Sequence, residues 1–398
     1  MHPELFDIPI IGFSVKTYGF FLMIGFLSAV WLAMRRAEKV GADPDVVLDM
    51  SFLALVFGVA GARLFYVVHY WHPHFDNAPN KLLAALDITK GGLEFLGGFL
   101  AAAAAVAVYA YRKKVSLRLY LDILAPGAMW GLAFGRLGCF FNGCCFGGLC
   151  VLPQAGPGPA PAPQPALAWA VRFPFGSPAF DQQWKRRQVT APAELIVTGP
   201  DTPLPWLLPS NLLSLSVKKR EAPFRAYEEA KKAYEQARSE DPTSEETARL
   251  AQRLEQARRV KERHERKLAA LLRAEMFPSR RNPQRKTSVS ELQALAARFR
   301  SQPVHPTQLY SSINAMLLSL LLSALFAVRK RHGMVIGVLF VLYPIPRAIL
   351  EIIRVDNPVH AGLTASQWVG VAMIAVGAVY LYVLYRKLPE RSPVLAQA

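Results

Sequence analysis

A chain of 398 residues that is 52% hydrophobic yet carries a formal charge of +17 is a poor fit to an ordinary soluble globule. Its apolar residues crowd roughly the first 145 and the last 95 positions, whereas the middle is polar, proline-rich and charged. That distribution excludes a single water-soluble core and points to a membrane protein carrying a soluble insertion.

A bilayer span takes about 20 mostly apolar residues. In chain order the qualifying segments are Tyr18–Met34, Leu48–Tyr70, Gly92–Tyr111, Leu119–Phe140, Pro306–Val328, Gly333–Ile353 and Ala365–Tyr385. The first begins late and has neither a basic leader nor a small-residue cleavage site, so it reads as a retained span rather than a signal peptide. The expected fold class is an all-α polytopic membrane protein with seven transmembrane helices and a large extracytoplasmic insertion. Residues 1–150 would hold spans one to four, 151–302 the insertion, and 303–398 spans five to seven with a cytoplasmic tail.

Orientation follows from Lys and Arg in short loops, which stay on the cytoplasmic side. Arg35, Arg36 and Lys39 follow span one; Arg112, Lys113, Lys114 and Arg118 follow span three. Arg329, Lys330 and Arg331 follow span five; Arg386, Lys387 and Arg391 follow span seven. All four clusters share a side if the spans alternate, so the N-terminus is expected outside and the C-terminus inside.

The insertion opens with "PQAGPGPAPAPQPA" (Pro153–Ala166), part of a proline-rich linker over 151–170 with no room for a core. Two amphipathic patterns follow. Tyr227, Ala230, Tyr234 and Ala237 mark the first; Leu250, Leu254, Ala257, Lys261, His264, Leu268 and Leu271 mark the second. Between them lies "DPTSEE", where Thr243 and Glu246 fit a capping box. The spacing predicts a helical hairpin over about 222–275, held by its own coiled contact. "SRRNPQRK" (Ser279–Lys286) reads as a basic loop, and an extracytoplasmic place argues against nucleic acid.

Ionisable groups inside a membrane cost about 2.5–3.5 kcal/mol each near the centre, so their positions carry information. Arg63, Glu94, Arg136, His305, Gln308, Arg347, Glu351, Arg354 and Tyr18 all fall toward the outer ends of their spans. Arg347, Glu351 and Arg354 are spaced i, i+4 and i+7, which predicts a shared helical face. One arginine can snorkel to the interface; four converging on one leaflet ask for an anion, and the guanidinium fork suits phosphate. Glycines in "GGLEFLGG" (Gly91–Gly98), including Gly97 and Gly98, would let backbone approach backbone or ligand closely. Cys139, Cys144, Cys145 and Cys150 are spaced 5, 1 and 5, which matches no usual zinc-ligand pairing. A structural disulfide and buried thiols used for packing remain the open alternatives there, and no metal is expected.

Several motifs, in order, resemble one family, the prolipoprotein diacylglyceryl transferases. "GRLGCFFNGCCFG" (Gly135–Gly147) is similar to that family's G-R-x-G-x-F-x-N-G-x-x-x-G. "HPTQLY" (His305–Tyr310) resembles H-P-[ST]-Q-L-Y, "RAILEIIR" (Arg347–Arg354) resembles R-x-x-x-E-x-x-R, and Tyr18–Gly19 and "GARLFYV" around Arg63 fit its first two spans. The resemblance covers roughly residues 1–150 and 303–390 and leaves out most of the insertion.

The resemblance implies transfer of a diacylglyceryl group from phosphatidylglycerol to the lipobox cysteine thiol of an exported prolipoprotein, releasing glycerol 1-phosphate. It implies a multi-pass protein of the bacterial cytoplasmic (inner) membrane, acting as a monomer among membrane lipids, with no cofactor. It implies that Arg136 binds the headgroup phosphate, Arg347 stabilises the leaving phosphate and Glu351 orients the arginines. Tyr18, Arg63, Gly97, Gly98, Asn142, His305, Gln308 and Arg354 would complete the binding and catalytic walls. Three positions depart from the family pattern. Leu96 stands where many members carry a histidine favoured as general base, Cys139 replaces a common asparagine, and Ser311 replaces a common glutamate. His69, His305 and Glu94 are then the candidates to accept the thiol proton. Rival readings are a membrane thiol–disulfide oxidoreductase, an anion transporter, and a phospholipid-binding relative without chemistry.

Overall fold

A computed structural model describes residues 4–8, 13–71, 75, 81–86, 92–152, 164–197, 206–207, 217–241, 244–276, 289–354 and 359–387. In chain order the main elements are β1 (Glu4–Ile8), β2 (Phe13–Lys16), α1 (Thr17–Lys39), α2 (Pro44–His69), α3 (Lys81–Leu86), α4 (Phe95–Lys113) and α5 (Leu117–Asn142). Then come α6 (Pro178–Lys185), β3 (Ile196–Val197), β4 (Trp206–Leu207), α7 (Val217–Glu240), α8 (Glu245–Met276) and α9 (Val289–Arg298). The last group is α10 (Thr307–Val328), α11 (Met334–Leu342), α12 (Pro344–Ile353), β5 (Val359–His360), β6 (Leu363–Thr364) and α13 (Ala365–Lys387). Among the described residues the strands pair as two-stranded antiparallel ribbons. Contacts divide the chain into two units, residues 18–138 with 307–398, and residues 1–17 with 139–306.

The first unit is that of a multi-pass membrane protein. Among the described residues, seven helical segments are long and apolar enough to cross a bilayer, α11 and α12 counting together as one. Their outward faces leave Leu64, Val68, Phe95, Leu317 and Ile352 exposed, an arrangement that water would penalise and lipid would not. The inner core is built from Val47, Met50, Ile123, Leu322 and Val335. Small residues bring the helices close. A Cβ on Gly97 would meet the carbonyl of Gly61 at 2.6 Å, and one on Gly98 would meet that of Gly58 at 2.8 Å, so α2 and α4 touch backbone to backbone. A Cβ on Gly127 would lie 3.0 Å from the Ala29 carbonyl, and one on Gly25 would lie 3.1 Å from that of Gly131, which seats α1 on α5.

Helix ends follow local chemistry. Asp43 caps α2 by accepting the Asp45 N–H at 2.9 Å, with Pro44 in the first turn. Span six is split at Tyr343–Pro344, where "YPIPR" supplies prolines that lack an amide donor.

Two basic residues counted as loop charges are buried instead. Arg331 donates to the Leu384 and Tyr385 carbonyls at 2.5 and 2.6 Å, satisfying the last turn of α13. Arg329 lies 3.7 Å from the carboxylate of Asp122, both side chains being shut from solvent. Asp122 in turn accepts the N–H groups of Gly333 at 2.7 Å and Ile336 at 2.9 Å, at the start of α11. The sequence offered Arg329 no partner because Asp122 lies about two hundred positions away.

The second unit holds more than a linker and a hairpin. Phe175, Phe180, Leu195, Leu207, Leu292 and Ala296 form one small core, and Phe146, Phe173, Ala179 and Val304 another. The proline- and glycine-rich "FPFGSPAF" concealed this from periodicity, because its aromatics are placed by turns and by the Ser177 cap, which accepts the Phe180 N–H at 3.2 Å. The expected linker over 151–170 is described at 151–152 and from 164 on, where the Leu152 N–H reaches the Gln164 carbonyl at 3.0 Å and the Ala166 N–H the Cys150 carbonyl at 2.9 Å. The hairpin of α7 and α8 forms as the spacing predicts, with Lys261 over the Tyr227 ring at 4.4 Å. Its cap is Ser244, which accepts the Thr247 N–H at 3.1 Å; Thr243 lies outside the described residues.

Candidate active site

A cleft in the membrane unit is lined by Leu132 and Arg136 of α5, Ser311 and Asn314 of α10, and Tyr343, Arg347 and Leu350 at and along α12. Each helix sends residues there for a periodic reason. Leu132 and Arg136 are one turn apart, Ser311 and Asn314 are i, i+3, and Tyr343, Arg347 and Leu350 are i, i+4, i+7. The Ser312 hydroxyl donates to the Ala133 carbonyl at 2.9 Å, tying α10 to α5 beside the cleft. Gly138 serves the same end: a Cβ there would stand 3.2 Å from the Tyr18 Cα and carbonyl oxygen, so α1 passes directly against α5.

Arg347 donates to Glu351 one turn along α12, and the Glu351 side chain is fully buried. Two guanidinium groups against one carboxylate leave this small pocket with a net positive charge among apolar helices, which favours an anion. Arg354 follows as the C-cap residue of α12, its N–H on the Glu351 carbonyl at 3.1 Å and its Nε buried, and it is not among the residues lining this cleft.

Arg63 is likewise absent from the cleft lining. Its guanidinium donates to the carbonyls of Ala84, Ala85 and Gly92 at 2.7, 2.7 and 2.9 Å and lies over the rings of Tyr66 and Phe75. It organises the segment between α2 and α4. Gly97 and Gly98 form the α2–α4 contact, their missing side chains facing Gly61 and Gly58.

Where α2 ends and α4 begins, the His69 Nδ1 and the Glu94 carboxylate are 2.7 Å apart. Glu94 is anchored by its own N–H to the Ala62 carbonyl at 3.0 Å, and the His69 ring stacks on Tyr70. Leu96 is exposed nearby in sequence and carries no proton acceptor. Gln308 is fully buried at the start of α10, and Tyr18 is exposed at the start of α1.

His305 and Asn142 belong to the other unit. There the Gly147 N–H meets the His305 carbonyl at 2.9 Å and the His305 N–H meets the Gly148 carbonyl at 3.1 Å, joining the two most distinctive motifs through their backbones. Ser311, Asn314 and Tyr343 were missed as site residues. A polar asparagine inside an apolar span, three positions from Ser311, was the signal that could have found them.

A family description, prolipoprotein diacylglyceryl transferase, matches residues 3–231 and 245–383. A phosphatidylglycerol–prolipoprotein diacylglyceryl transferase of Rhodopirellula baltica is 27% identical over 405 residues, covering 96% of this chain and 75% of that protein. Proteins of the same name from Aliivibrio salmonicida and Streptococcus agalactiae are 33% and 34% identical over 178 and 130 residues. Those two matches cover 44% and 33% of this chain and about half of each relative, 56% and 49%.

Proposed function

Because the chain belongs to the prolipoprotein diacylglyceryl transferase family, we propose that it moves the diacylglyceryl group of phosphatidylglycerol onto the lipobox cysteine of exported prolipoproteins. The bond broken joins the glycerol carbon to the phosphate oxygen; the bond formed is a thioether; glycerol 1-phosphate leaves. The observation that carries this reading is that Arg136 and Arg347, on two apolar helices, line the same small pocket. Developing negative charge on a leaving phosphate is what preorganised guanidinium groups stabilise.

In this scheme Arg136 holds the headgroup phosphate and Arg347, fixed by Glu351, meets the charge that grows as the carbon–oxygen bond opens. Asn314, Ser311 and Tyr343 offer hydrogen bonds to the glycerol headgroup. Tyr18 and Gln308 of the membrane unit border the substrates in this scheme. The His69–Glu94 pair is the best-formed proton acceptor for the thiol, since the carboxylate fixes the imidazole ring and supports the imidazolium. The basic clusters after spans one, three and seven favour an extracytoplasmic insertion and a cytoplasmic C-terminus in the bacterial inner membrane.

The test is transfer of radiolabelled glycerol-lipid from phosphatidylglycerol vesicles to a lipobox peptide, with wild type beside Arg136→Ala. Transfer by wild type and its loss in the variant is expected. A folded wild type that binds phosphatidylglycerol and transfers nothing would place the chain with lipid-binding relatives.

A further inference from the structure

Cys139, Cys144 and Cys145 bring their Sγ atoms within 4.8 Å of one another. The helix stop itself produces this convergence. α5 ends at Asn142, and Gly143 follows with a φ of 72°, the left-handed conformation that glycine adopts without cost. Its N–H returns to the Phe140 carbonyl at 3.1 Å, and the Cys144 N–H returns to the Cys139 carbonyl at 3.2 Å. This paired pattern brings the residue after the glycine against the last helical turn, where an apolar contact usually forms. Here both partners in that contact are cysteines. Cys145 follows with φ 59°, a strained choice for a side chain with a Cβ, and its thiol joins the other two. Cys150 stands apart, buried with its N–H on the Pro303 carbonyl at 2.8 Å.

A disulfide uses this arrangement badly. Neighbouring Cα atoms lie about 3.8 Å apart, below the usual range for a bridge, so Cys144 and Cys145 are poor partners. Any bridge from Cys139 would leave one thiol over. A thiophilic ion uses all three. Thiolates bound to zinc at about 2.3 Å in a tetrahedron sit about 3.8 Å from one another, within reach of the observed spread by small side-chain rotations. The spacing rule of the sequence overlooked this because it describes ligands on loops and knuckles, not two residues closed by a helix cap.

We infer that Cys139, Cys144 and Cys145 form a three-thiolate site for a d10 cation, zinc or copper(I), with the fourth position open to water. Binding releases up to three thiol protons and involves no electron transfer. The ion locks the end of α5 and stands outside the transfer chemistry.

The full-length protein, purified in detergent, is assayed for metal by mass spectrometry. One equivalent of zinc or copper per chain is expected, lost in Cys139→Ser and Cys144→Ser and kept in Cys150→Ser; the metal found tells the two ions apart. Because a serine variant can misfold, a second measurement uses wild type alone. Stripped protein is titrated with zinc and with copper(I) against a chelator, then alkylated and peptide-mapped. Protection of Cys139, Cys144 and Cys145 by either ion supports the site. Failure to take up either ion, or an intact mass about 2 Da low from a Cys139 disulfide, overturns it.

Discussion

Arg347 donates through Nη1 to the Glu351 carboxylate one turn along α12, and that carboxylate has no access to solvent. A buried carboxylate in this position serves chiefly to fix its partner, because desolvation offsets much of the pair's attraction. Glu351→Gln keeps the shape and removes the charge, so Arg347 gains freedom to leave the cleft. Transfer is expected to fall about 10²-fold, the cost of a displaced reacting group, with the protein still folded. Steady-state transfer to a lipobox peptide measures it; an unchanged rate would remove Glu351 from the machinery.

The parts of this picture that were legible in the sequence are those written locally. Seven apolar runs give seven spans, and Arg136, Arg347 and Glu351 stand out because a charge in such a run demands a reason. What was hidden depends on where the chain returns. Arg63 looks like a phosphate ligand until residues 84, 85 and 92 come back to offer three carbonyls. Asp122 sits near the end of a span and draws no notice until Arg329 arrives. Arg354 reads as one more residue of a helix, and its place as the C-cap of α12 emerges only with the fold.

The His69–Glu94 pair gives a kinetic prediction. General-base assistance contributes roughly 10²- to 10⁴-fold, so His69→Ala should lower transfer by about that factor. Glu94→Gln should lower the rate less, since it disturbs only ring orientation. A His69→Ala rate that matches wild type would move the proton elsewhere.

Asp122 is placed to join α5, α10 and α11. Asp122→Ala leaves the Arg329 guanidinium buried without its carboxylate and frees the Gly333 and Ile336 amides. A loss of about 3–5 kcal/mol is expected for a broken buried pair. Replacing both partners by apolar residues, Asp122→Leu with Arg329→Met, should recover part of that loss. Thermal unfolding in detergent reads both variants; equal midpoints for wild type and Asp122→Ala would contradict the assignment.

The α2–α4 contact predicts a steric effect at a distance from the cleft. A Cβ on Gly97 lies 2.6 Å from the Gly61 carbonyl and presses on Phe65, and neither backbone can yield alone. Gly97→Ala should cost about 1–3 kcal/mol by overpacking. Gly19→Ala, with open space around it, should be nearly silent in the same unfolding experiment.

His332 lies between spans five and six, and burial, aided by Arg329 and Arg118, pushes its imidazole down to about 4. In an unfolded chain the same ring titrates near 6.5. Between those values the unfolded state holds the extra proton, so the native state loses stability as pH falls through 6.5 toward 4 and recovers it as pH rises. The ring is about half buried, so solvent screening makes the effect smaller than the shift alone would give. His332→Gln carries no titrating group and should shrink the drop in unfolding midpoint between pH 7.5 and 5. That window ends above the range where ordinary carboxylates protonate, so the difference between the two proteins isolates this ring. An identical drop in both would assign the acid sensitivity to another group.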